Sequence, residues 1–80
     1  MEREGGSRGL THYQNSVPQI TQRIQTRPDY HLHEALADLQ QSYIEYRMME
    51  PQKPPPEKIL HHTIGVVLTA FFMNRVPISV

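Results

Sequence analysis

The 80-residue chain contains no cysteine and no tryptophan, and only six of its residues are aromatic. The first absence excludes disulfides and thiolate metal sites. Chains this short bury a low fraction of their surface and often need staples, metals or partners to fold. The hydrophobic fraction, 38%, lies below the roughly 45–50% of typical globular domains. Apolar residues are scarcest in the first 27 positions, where Leu10, Tyr13, Val17, Ile20 and Ile24 stand beside Met1. Asn15–Ser16–Val17 and Asn74–Arg75–Val76 do not provide an N-x-S/T acceptor.

Charge of one sign is also missing. The net charge is zero, divided as +2 over residues 1–27, −4 over 28–50 and +2 over 51–80. No segment carries the clustered positive surface that nucleic acid requires, so no nucleic-acid partner is expected. Gly5, Gly6, Gly9 and Pro18 interrupt the first 27 residues, which read as a disordered tail. Its basic, hydroxyl-containing character is one property of a mitochondrial transit peptide, but Glu2 and Glu4 oppose that reading. No apolar stretch follows Met1, so no secretory signal is expected.

The strongest helical signal covers residues 28–50. Pro28 suits a first turn and Asp29 the positive end of a helix dipole. Leu32, Leu36, Leu39, Tyr43 and Tyr46 follow at spacings of 4, 3, 4 and 3, with Glu34, Asp38 and Glu45 on the opposite face. This seam is the expected binding face for a protein partner, either paired with another helix or laid in a groove. Its flanks (His33, Ala35, Gln40, Ser42 and Arg47) are nearly neutral, so no charge code selects that partner. Residues 51–57, with Pro51, Pro54, Pro55 and Pro56, read as an extended polyproline spacer that holds the two flanking segments apart.

Residues 58–75 form a hydrophobic helix in this reading. Positions 59–74 carry no formal charge when the histidines are neutral, which makes a helix of about 24 Å against about 30 Å of hydrocarbon. Ile59, Leu60, Ile64, Val66, Val67, Leu68, Phe71 and Phe72 together favour insertion by roughly 2.5–5 kcal/mol. Lys58 and Arg75 are placed to snorkel to the two interfaces. The balance of basic residues then leaves the N-terminus cytosolic, in an intracellular membrane. With no core in sight for it, the segment reads as a marginal membrane anchor in contact with lipid over 59–74. Residues 76–80 remain as a short tail.

Catalytic constellations are lacking. His31–Leu32–His33 beside Glu34 looks like a metal cluster, but residues two apart on a helix diverge. His61–His62 diverges for the same reason. Gly5–Gly6–Ser7 lacks the lysine of a phosphate-binding loop. No enzyme activity, metal, cofactor or small-molecule substrate is expected. Pro51–Gln52–Lys53–Pro54 matches a PxxP core, and Ile78–Ser79–Val80 the ending that adds a strand to a PDZ edge.

The expected fold class is mostly α and non-globular: disordered N-terminus, one amphipathic helix, polyproline spacer, one short hydrophobic C-terminal helix. The expected role is that of a single-pass, tail-anchored-like membrane microprotein presenting its amphipathic helix to a protein partner. One alternative is a soluble, cytoplasmic interaction peptide whose apolar tail docks in a partner or oligomer. The other is a translated short reading frame without selected function.

Overall fold

Beyond Met1, the sparse large apolar residues of the N-terminal third fall on one line. Leu10, Tyr13, Val17, Ile20 and Ile24 are spaced 3, 4, 3 and 4, which is one face of an α-helix. In the computed structural model, which describes residues 8–53 and 56–75, this line folds as α1, Arg8–Thr26. Helix α2 follows over Leu32–Met49 and α3 over Glu57–Arg75. The three form a compact bundle, and there is no strand among the described residues. Both α2 and α3 pack chiefly on α1, and touch each other least.

This overturns the expected non-globular fold. The N-terminal segment is not a disordered tail from Arg8 onward. Pro18 lies inside α1 and is exposed. It removes one helical hydrogen bond, at a cost of about 3 kcal/mol. Burial of Val17, Ile20 and Ile24 (8%, 1% and 0% exposed) contributes roughly 5–9 kcal/mol in gross terms, so the stripe prevails over the proline. The helix then stops where Arg27 precedes Pro28, a position biased away from helical geometry.

Pro28 and Asp29 belong to the turn rather than to a first helical turn, so α2 starts four residues later than residue 28. His31 caps it in an extended conformation (φ −92°, ψ 165°), and its N–H donates to Glu34 Oε1 at 2.7 Å. At the other end, Glu50 leaves helical geometry immediately before Pro51. No extended spacer follows in the described part of the linker: Lys53 N–H donates to the Glu50 carbonyl at 3.2 Å, closing a turn. Pro54 and Pro55, and with them part of the PxxP match, lie outside the described residues. The Pro56 carbonyl accepts from the N–H groups of Ile59 and Leu60, which starts α3.

The chain therefore turns back, and α3 finds its core on α1. Val67 and Thr63 are buried there. The Tyr13 hydroxyl lies 2.6 Å from Thr63 Oγ1, which itself donates to the Leu60 carbonyl, so Tyr13 is the donor across the interface. The Tyr13 ring also meets Tyr46 (6.1 Å, stacked) and Tyr43 (6.3 Å, edge-on) of α2. Arg75 is not a snorkelling flank. Its guanidinium donates to the carbonyls of Ile24 (2.6 Å), Arg27 (2.7 Å) and Tyr30 (3.0 Å), satisfying the C-terminal end of α1. Lys58 is simply exposed.

Among the described residues no helix is long and apolar enough to cross a membrane. The anchor expected over residues 59–74 is thus corrected, and the membrane location and orientation built on it lose their ground.

Two glycines separate close packing from open surface. A Cβ on Gly9 would lie 2.6 Å from Tyr46 Cδ1 and 2.7 Å from Glu50 Cγ, whereas one on Gly65 meets nothing within 4 Å. Gly9→Val should lower stability by about 1–3 kcal/mol through overpacking. Gly65→Ala should raise it by about 0.5–1 kcal/mol through backbone entropy. Thermal unfolding followed by far-ultraviolet circular dichroism reads both signs. By the same assay Arg75→Ala should cost on the order of 2–3 kcal/mol, because it strands carbonyls that share one charged donor.

Candidate functional site

The buried line of α2 is Ala35, Leu39, Ser42 and Tyr46. It shares Leu39 and Tyr46 with the expected seam, but is turned from it by one position at Ala35 and Ser42. The seam is consequently divided. Leu39 and Tyr46 are core residues, while Leu32, Leu36 and Tyr43 are half-buried. Leu36 and Tyr43 lie at the edge of α2 that faces α3.

Between those two helices runs an apolar groove of about 440 Å³. Leu36, Gln40 and Tyr43 form one wall, Leu60 and Ile64 the other, and Tyr13 and Leu39 its floor. Leu36 and Tyr43 stand two helical turns apart, and Leu60 and Ile64 one turn apart, so each wall is a row of side chains along its helix. None of the lining residues is charged. The Gln40 amide projects from an exposed position, and Ile64 is 40% exposed.

Residues expected in an anchor distribute around α3. Val67 is fully buried; Ile59, Leu60, Val66, Leu68 and Phe71 are half-buried; Ile64 and Phe72 are exposed. Phe71 also lies under the Arg75 guanidinium, 5.3 Å from ring centroid to Cζ. The sequence pattern points Leu60 and Ile64 to lipid, treats Gln40 only as a neutral flank of the seam and gives Tyr13 no site role. The regular 3, 4, 3, 4 spacing from Leu10 to Ile24 was the signal that a core existed for α3 to join.

The charged groups gather elsewhere, at the α1–α2 seam. His12 Nε2 and Glu45 Oε1 lie 2.6 Å apart, and Arg23 Nη1 reaches Asp38 Oδ2 at 3.2 Å. The Tyr30 hydroxyl donates to the same Asp38 oxygen. The hydrogen bond with His12, then that from Gln41, holds the Glu45 carboxyl below its usual range. Burial, and then the bond to Asp38, pushes the Tyr30 phenol up to about 12. Burial, followed by the Glu50 charge, also raises Tyr46. A nearby hydroxyl does not complete a nucleophilic arrangement: Ser16 donates to the Tyr13 carbonyl rather than meeting His12. These are clips between helices.

The His31 and His33 rings stack at 5.9 Å, because His31 caps the helix in extended geometry instead of lying within it. Among the described residues, no group of three or more histidine or acidic side chains is placed to hold a metal. His61 and His62 are exposed, with His61 3.8 Å from Glu57. The Ile78–Ser79–Val80 ending lies outside the described residues. No protein family, curated protein or solved structure matches this chain.

The two titrating clips give opposite pH limbs. Glu45 has a depressed folded pKa, so its contribution is present above the unfolded value of 4.5 and is lost as pH falls through the folded one. Tyr30 has a raised pKa, so its contribution is present below 10 and is lost as pH climbs from 10 toward 12. Melting temperature against pH should therefore fall less steeply below about pH 4.5 in Glu45→Gln than in the wild type. Tyr30→Phe should remove the highest-pH step from a phenolate absorbance titration.

Proposed function

We propose that this chain is a non-catalytic helical protein-interaction module, which receives an apolar row of side chains from a partner helix in the groove between α2 and α3. The observation that carries the reading is the uncharged groove itself: about 440 Å³, open along two helices, and walled by Leu36, Tyr43, Leu60 and Ile64. Rows of apolar side chains on both walls suit a helix whose anchors recur every three or four residues. The wall contributed by Leu36 and Tyr43 retains the outer half of the seam that favours a protein partner. Apolar insertion removes these side chains from water at about 25 cal/mol per Å², with no ion pair to desolvate.

A photo-reactive amino acid placed at Gln40 in the full chain, in living cells, should give a discrete protein adduct. The same group at exposed Gln22 on α1 should not. Ile64→Lys, on the opposite wall, should abolish the adduct from position 40 while circular dichroism shows the helices intact. Equal adducts from positions 40 and 22, or an adduct indifferent to Ile64→Lys, would overturn the groove as the recognition surface.

A further inference from the structure

The histidine pair at the start of α2 has no part in the groove. Were both residues inside the helix, their side chains would point about 200° apart and could not share a ligand. They are not both inside it. The helix begins at Leu32, and His31 keeps the extended cap geometry, φ −92° and ψ 165°. That change of backbone at one residue brings its ring beside the ring of His33. The two imidazoles lie nearly parallel, inclined by 13°, with centroids 5.9 Å apart.

The backbone holds the pair in place. The His31 N–H donates to Glu34 Oε1 at 2.7 Å, and the His31 carbonyl accepts from the N–H groups of Glu34 and Ala35, both at 3.0 Å. Ala35 is fully buried, so the cap is tied to the core. Both rings are exposed, as is Glu34. The positive end of the α2 dipole opposes a cation at this place, and the Glu34 carboxylate in the first turn offsets it.

The ring separation is close to the one that a shared metal ion imposes. With an ion about 2.0–2.1 Å from one nitrogen of each ring, the centroids stand about 5.2 Å apart at a tetrahedral angle and about 4.5 Å at a right angle. The observed 5.9 Å exceeds the tetrahedral value by only about 0.7 Å, which rotation of two exposed side chains covers. Neutral imidazoles suit Zn²⁺, Ni²⁺ and Cu²⁺ rather than Mg²⁺ or Ca²⁺.

We propose that His31 and His33 form a two-histidine site for a divalent transition-metal ion of the zinc class, with water in the remaining positions. Among the described residues no third histidine or carboxylate completes the set. The ion is therefore an exchangeable one, unlike the ion of a closed four-ligand structural site.

Zn²⁺ titrated into the full chain at pH 7, followed by NMR of the imidazole C–H resonances of its five histidines, tests the site. His31 and His33 should shift together, with a common midpoint roughly tenfold or more below that of His62, because the second imidazole binds within the same molecule. Mg²⁺ should move neither. His33→Ala should raise the His31 midpoint roughly tenfold or more. His33 is exposed, so circular dichroism of this variant should match the wild type. In about 8 M urea, where the cap is lost, the advantage of the pair over His62 should largely disappear. A His31 midpoint no lower than that of His62 would overturn the proposal. So would a His31 midpoint indifferent to His33→Ala, or a pair that keeps its full advantage in urea.

Discussion

The bundle depends on one helix with two neighbours. Tyr13, Val17, Ile20 and Ile24 of α1 are all buried, and neither α2 nor α3 has another substantial surface to lean on, since they touch each other least. A chain with so few apolar residues cannot make three full helix–helix interfaces. It makes two, and both use the same stripe. Tyr13 shows the sharing most directly: its ring lies against Tyr43 and Tyr46 of α2, while its hydroxyl bonds Thr63 of α3. Arg75 repeats the arrangement at the opposite end, joining the close of α3 to carbonyls at the end of α1 and in the turn before α2.

How far the fold is legible in the sequence follows from which signals are local. The 4, 3, 4, 3 spacing from Leu32 to Tyr46 can be read as helix, and the apolar run after residue 58 as a segment needing cover. What covers them cannot be read by weighing composition. A count of five apolar residues in the N-terminal third says tail; their positions say helix. Gly9 and Pro18 reinforce the misleading half of that evidence. Yet Gly9 admits Tyr46 and Glu50 to close contact, and Pro18 sits on the exposed side of α1, where a lost hydrogen bond is offset by solvent. Once α1 is missed, the apolar run has no core, and a membrane becomes its default solvent.

The groove was half legible for a related reason. A helical wheel gives the apolar face of α2, but not which part of that face another helix will use. Ala35 and Ser42 decide this. Both are buried, and their small size draws the α2 backbone towards α1 along the line Ala35–Leu39–Ser42–Tyr46. The larger Leu36 and Tyr43 are thereby left at the edge. Leu60 and Ile64 are similarly displaced, because α3 is centred on α1 by Thr63 and Val67. The opening between α2 and α3 follows from two helices each being held to a third.

That geometry also sorts the charges, and the sorting limits what the groove can accept. In α2 the carboxylates Asp38 and Glu45 are committed to α1, to Arg23 and His12 respectively. The groove is left with an apolar lining and one amide. A site of this composition cannot discriminate by ion pairing. It can select only by shape and by whether the amide is answered, because an unanswered buried amide costs about 1–3 kcal/mol, comparable to the burial of one apolar side chain. A purely apolar ligand therefore forfeits at Gln40 about what one of its anchors gains, whereas a ligand with a matching amide at that height keeps the whole. If the groove receives a helix as proposed, polar satisfaction at Gln40, rather than hydrophobicity alone, would distinguish one apolar helix from another.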